Sequence, residues 1–123
     1  MPDSILKSKS KAFAIRIIKM YNYLCEEKKE YVMSKQILRC GTSIGANIAE
    51  AFYAQSEADF IAKLYISRKE AGETLYWVDL LNESDYLKDD MASSISTDCD
   101  ELLKLLTSSI KTMKSKQSGK HKP

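Results

Sequence analysis

Residues 39–52, Arg-Cys-Gly-Thr-Ser-Ile-Gly-Ala-Asn-Ile-Ala-Glu-Ala-Phe, restrict the fold more than any other stretch of this chain. Ile37, Ile44, Ile48, Ala51 and Phe52 fall near one face at helical intervals. Gly41, Gly45 and Ala49 make a second row at i, i+4 and i+8, the small-residue spacing that lets two helix backbones approach closely. Arg39, Asn47 and Glu50 interrupt the apolar run, so the segment is no membrane span. A glycine inside a helix costs about 1 kcal/mol relative to alanine. A helix with two of them forms only where close tertiary packing offsets that cost.

The rest of the sequence supplies partners for such a helix. Both prolines are terminal, Pro2 and Pro123, and the only other glycines are Gly72 and Gly119. A chain so poor in internal turn formers is no candidate for a β-rich fold, which leaves an all-α class. With 123 residues, 44% of them hydrophobic and 29% charged, it has the composition of one folded domain and not of a disordered segment. Residues 4–11 are rich in Ser and Lys, as transit peptides are, but the helical pattern runs on directly from Phe13, and no apolar run matches a signal-peptide core. The expected compartment is the cytoplasm, with no membrane association. Cys25, Cys40 and Cys99 lie on apolar helical faces without a C-x-x-C pair and read as buried free thiols.

Periodicity predicts four helices, over about residues 4–29, 34–54, 56–83 and 88–115, forming one domain over 1–115, and a flexible basic tail over 116–123. The first starts at Ser4 and carries Phe13, Ile17, Met20 and Leu24, with Ala14, Ile18, Tyr21 and Cys25 widening the stripe. Residues 26–30 read as a solvated charge cluster at the turn, and Ser34 as the cap of the second helix. Ser56 with Asp59 resembles a capping box opening the third helix, whose core line is Phe60, Leu64, Ser67, Ala71, Leu75, Val78 and Leu81. Gly72 within that helix suggests a second close contact. The fourth carries Met91, Ile95, Cys99, Leu102, Leu106, Ile110 and Met113. Short connections make an antiparallel up-down-up-down bundle the default. Matching levels across it pairs Arg16 or Lys19 with Glu50, and Arg39 with Glu70 or Glu73.

The run Ser43-Ile-Gly-Ala-Asn-Ile-Ala-Glu50, preceded by Leu38-Arg39 and followed by residues 56–60, resembles the signature of the 23S rRNA intervening-sequence proteins, also labelled S23-type ribosomal proteins. Ala71-Gly72-Glu73-Thr74 resembles that family's second signature, although Glu73 follows Gly72 directly and Ala51 stands where a glycine is usual. The resemblance covers about residues 5–115. It implies a left-handed bundle assembling into a homopentameric ring, with Arg39, Gly41, Ser43, Gly45, Asn47, Glu50, Gly72 and Glu73 as its structural motif. The same family includes accessory proteins of diversity-generating retroelements, which bind a reverse transcriptase and nucleic acid through basic surfaces.

The catalytic inventory is thin. His121, in the tail, is the only histidine, which removes His-based acid–base chemistry and Ser-His or Cys-His nucleophile pairs. There is no Walker loop or GxGxxG, and no cofactor or metal is expected. Glu50, Glu70 and Glu73 could form a carboxylate site on facing helices or pair with arginines to hold register. Asn47 reads as a hydrogen-bonding residue satisfying a neighbouring helix. Tyr21, Tyr23, Tyr53, Tyr65, Tyr76 and Trp77 exceed what the inner stripes can hold, and the adjacent Tyr76 and Trp77 cannot both face the core axis. Such rings suit edge packing or a subunit interface, with base stacking third because no basic patch interleaves them.

Charge distribution is the functional signal. The formal net charge is only +2, yet Lys111, Lys114, Lys116, Lys120 and Lys122 close the chain with no acid among them, leaving the remainder net acidic. In an up-down-up-down bundle Lys7, Lys9 and Lys11 join them at one end. Lysines at a helix C-terminus complement the macrodipole, which accounts for Lys111 and Lys114 but not for the three near a helix N-terminus. These eight lysines are the expected nucleic-acid contacts. The expected function is a non-enzymatic homo-oligomeric scaffold, a pentamer, associated with RNA or a nucleoprotein. A protein-binding adaptor without a nucleic-acid role is the alternative.

Overall fold

In the computed structural model, which describes residues 2–120 and the side chains of residues 5–119, four helices follow one another. They are α1 (Pro2–Glu26), α2 (Met33–Ala51), α3 (Glu57–Glu83) and α4 (Asp89–Lys120), and no strand occurs among the described residues. The helix α4 continues past the end expected near residue 115, so residues 116–120 are helical; no proline or glycine before Gly119 stops it. Ser4's side chain lies outside the described residues, as do the side chain of Lys120 and all of His121, Lys122 and Pro123.

Each helix buries a ladder with steps of three or four residues. In α1 it is Leu6, Ser10, Phe13, Ile17, Met20 and Leu24; in α2, Ser34, Ile37, Gly41, Ile44, Ile48 and Ala51. In α3 it is Ile61, Leu64, Ser67, Ala71, Thr74, Val78 and Leu81; in α4, Ala92, Ile95, Cys99, Leu102, Leu106 and Ile110. A mean spacing near 3.5 is that of knobs-into-holes packing. This regularity corrects the expected α3 line. Phe60 and Leu75 lie only partly buried beside the core, and their neighbours Ile61 and Thr74 take the buried places. Ile18 also leaves the core: one position past Ile17 it is rotated about 100° away, and it is 45% exposed.

The two glycines of α2 do face α1. A Cβ on Gly41 would fall 2.7 Å from Ile17 Cγ1, and one on Gly45 would meet the Ser10 carbonyl oxygen at 3.4 Å. Gly72 behaves otherwise, with nothing within 4 Å of the same position. Its neighbour Ala71 takes the buried place, so the close contact expected at Gly72 is absent from the described chain.

Helix ends explain the turns. Val32 occupies the N-cap of α2 without a side-chain bond, and Ser34 lies inside the helix. The capping group is Glu30, whose carboxylate accepts the N–H groups of Val32 at 3.1 Å and Ser34 at 2.7 Å. Glu30 is 8% exposed, so it is no part of a solvated cluster. A carboxylate at a helix N-terminus satisfies orphan donors and meets the positive end of the dipole. Lys29 adopts a φ of 54° to fold it back. Ser56 caps α3 as expected, accepting from the Asp59 N–H at 3.1 Å, while Asp59 reaches back to the Gln55 N–H at 3.4 Å.

Polar residues inside the core are bonded across it. Ser67 donates to the Ile44 carbonyl at 2.8 Å, and Thr74 donates to the Glu70 carbonyl at 2.8 Å and contacts Cys40 Sγ at 3.3 Å. Cys99 donates to the Ala71 carbonyl at 3.3 Å, and burial pushes its thiol up to about 12. Cys40 is buried and raised for the same reason, whereas Cys25 is only half-buried.

The contrast between glycines sets a stability test. Gly41→Ala drives a methyl into Ile17, and overpacking costs about 1–3 kcal/mol, outweighing the gain of about 1 kcal/mol in helix propensity. Gly72→Ala meets no obstacle and stabilises by about 0.4–1 kcal/mol. Urea denaturation of both variants should shift the midpoint in opposite directions.

Candidate nucleic-acid interface

The signature stretch splits between two flanks of α2. Gly41 and Gly45 lie toward α1. Arg39, Ser43, Asn47 and Glu50, spaced at i, i+4, i+8 and i+11, lie toward α3. Arg39 pairs with Glu70 at 3.3 Å and with Glu73, as level-matching anticipated, and Trp77 Nε1 donates to Glu73 at 3.2 Å. The Glu73 carboxylate raises the Arg39 guanidinium above its ordinary value. Glu50 stands 3.9 Å from Lys63, not near Arg16 or Lys19. Arg16 instead projects from the α1 flank facing α4, bonding Asp98 at 2.5 Å and the Ser94 hydroxyl at 2.8 Å. Height along a helix does not fix rotation about it, which is why that pairing differs. Asn47 donates at 2.9 Å to the Ser43 carbonyl of its own helix, not to a neighbour. Ser43 likewise donates to the Arg39 carbonyl at 2.7 Å.

The lysines singled out by sequence do not form one uniform pole. Lys9 is 2.9 Å from Glu101, and Lys7 holds its ammonium 4.2 Å from the Phe52 ring centre. Lys11 borders a groove of about 390 Å³ between α1 and α2, floored by Ala14, Gly45, Ala46 and Ala49. Lys111, Lys114 and Lys116 are exposed on α4, and Lys120 ends that helix.

A second basic surface lies where α3 and α4 meet. Lys104, Thr107, Lys111 and Lys114 recur at three- and four-residue steps and so share a face of α4. Arg68 of α3 reaches Thr107 Oγ1 at 3.5 Å, and Lys114 donates to the Tyr65 hydroxyl at 2.9 Å. Arg68 also lies over the Tyr65 ring, with Cζ 4.9 Å from its centre. Among the described residues, Arg68, Lys104, Lys111, Lys114 and Lys116 have no carboxylate in an ion pair. Such cations keep their charge available for an anionic partner. The sequence reading named Tyr65 among the surplus aromatics but not as a nucleic-acid contact, and it missed Arg68 and Lys104. Helical spacing links Lys104 to Lys111, but only the pairing of α3 with α4 brings Tyr65 and Arg68 beside them.

The family described as 23S rRNA-intervening sequence protein matches residues 3–108. The chain is also similar to a solved structure from Bacteroides thetaiotaomicron VPI-5482, described as a protein with unknown function from the S23 ribosomal protein family. The two are 56% identical, with 90% of this chain and 99% of that chain covered and a TM-score of 0.89. No curated protein matches.

Electrostatics at Tyr65 can be measured. The hydrogen bond from Lys114, with its positive charge and that of Arg68, holds the phenol below its ordinary value, against the opposing effect of burial. Favouring the phenolate lowers a pKa, so Lys114→Met should raise it toward about 10. NMR titration of the Tyr65 ring reads this directly; an unchanged midpoint would show that Lys114 does not bond it in solution.

Proposed function

The chain belongs to the 23S rRNA-intervening sequence protein family, and from that premise we propose that it is a non-enzymatic, self-assembling scaffold that associates with RNA. The bundle is antiparallel, up-down-up-down. Pairs such as Ser10 with Gly45 and Ile17 with Gly41, or Glu50 with Lys63 and Arg39 with Glu73, support that arrangement. The protein works in the cytoplasm.

The observation that carries the RNA reading is the unpaired basic surface between α3 and α4. Lysines and arginines bind phosphates without sequence preference, so the surface fits a nucleic-acid backbone and not a particular base sequence. Lys116, Lys120 and Lys122 add further positive charge later in the sequence. Lys7 and Lys9 contribute less in this reading, being engaged with Phe52 and Glu101.

Self-association to a pentameric ring is supported by apolar surface that the single chain leaves open. Ile15, Ile18, Tyr53 and Tyr76 are exposed, Tyr53 at 90%. Rings so exposed suit subunit contacts, and repetition of a weak charged site around a ring raises affinity by avidity. Light scattering across a size-exclusion peak should give a mass about five times the 14.0 kDa of one chain. A 14.0 kDa peak at micromolar concentration ends the ring proposal.

RNA association has a quantitative signature. If Arg68, Lys104, Lys111 and Lys114 neutralise about four phosphates per chain, log K for single strands falls with a slope of about −3 against log salt. Replacing Lys111 and Lys114 by Gln should flatten that slope by about 1.4 while helix content stays unchanged. Absence of RNA affinity at low salt points to the adaptor reading instead.

A further inference from the structure

Tyr65 is placed in a way that phosphate binding alone does not require. Its ring packs partly against the core, Arg68 lies over it, and the Lys114 ammonium stands 5.4 Å from its centre while bonding its hydroxyl. Beside this cluster, Leu103, Lys104, Thr107, Ser108 and Lys111 line a depression of about 440 Å³. An aromatic ring and a guanidinium plane in contact, bordered by free cations and hydroxyls, combine the two elements of single-strand recognition: a surface for a base to stack on and a charged track for its phosphates.

We infer that the α3–α4 groove takes unpaired nucleotides, one base stacking on the Tyr65–Arg68 pair while Lys104, Lys111 and Lys114 contact the flanking phosphates. The inference rests on the RNA reading above and names what kind of RNA the site accepts. In a duplex the base faces are covered by their neighbours, so only the charge of this groove remains useful. An unpaired strand can turn a base onto the pair. Thr107 and Ser108 offer hydroxyls to sugar or phosphate from the same face of α4. Arg68 is the discriminating residue, since a lysine there would keep the charge and lose the plane.

The test compares fluorescence anisotropy of the full-length protein with a labelled oligoadenylate and with an RNA duplex of equal length. Tyr65→Leu and the charge-conserving Arg68→Lys should each weaken oligoadenylate binding about tenfold. Duplex binding should stay within about twofold and the salt slope should not change. Titrating wild-type protein with oligoadenylate should also move the Tyr65 ring protons upfield, a readout that does not depend on how the variants fold. Equal losses on single strand and duplex, or no loss and no ring shift, overturn the stacking site while leaving the charge-based RNA reading intact. If the wild type binds neither RNA at low salt, the RNA reading falls, and this inference with it.

Discussion

A missing methyl group sets how near α1 and α2 lie. Gly41 is buried against Ile17, itself fully buried, at a separation that a residue with a Cβ could match only by displacing the Ile17 side chain. Gly45 continues the approach one turn on, facing the Ser10 backbone. The helix tolerates two costly residues because the contact they permit packs α2 against its neighbour along its length. From that distance follows the rest of α2, whose apolar ladder is committed to the core and whose opposite flank, Arg39 to Glu50, is left to meet α3.

The ladders then lock relative height. Apolar side chains alone can slide by a turn at modest cost, but a hydroxyl in a dry interior cannot leave its partner without an unsatisfied polar group, at about 1–3 kcal/mol. Ser67 on the Ile44 carbonyl therefore holds α3 to α2, while Thr74, already bonded to the Glu70 carbonyl of its own helix, and the Cys99 thiol on the Ala71 carbonyl add weaker contacts between helices. None of the described buried side-chain polar atoms lacks a partner. Glu30 does the same for the first turn, tying the chain back to the start of α2.

Surface charge is divided by this arrangement into two kinds. Along α1, Lys9 and Arg16 meet Glu101 and Asp98 of α4, and such exposed pairs contribute little to stability, about 0–1 kcal/mol. Their larger effect is to remove those cations from the pool available to a partner. On the other side of α4, Lys104, Lys111 and Lys114 stand with Arg68 in no ion pair among the described residues, with Asp100 on the same face one turn before Lys104. The small net charge of the chain thus conceals a flank whose cations are left out of ion pairs.

Local chemistry was legible in the sequence wherever the answer depended on one helix. Hydrophobic spacing disclosed four helices, the Ser56–Asp59 motif marked the start of α3, and Gly41 and Gly45 announced a close approach, because each is a property of residues within a few turns. Rotation about a helix axis was not legible, since it depends on which neighbours compete for a face. For that reason Arg16 turned to α4 instead of α2, Asn47 bonded within its own helix, and Gly72 faced outward. The Glu30 cap escaped because a charged residue is buried only when the turn supplies its donors. The α3–α4 flank escaped too, since Arg68 stands 39 and Tyr65 49 residues before its α4 partner. The sequence by itself determined the helices and the α1–α2 contact. Only tertiary structure decided which cations were neutralised, because pairing of charges requires the helices to be placed first.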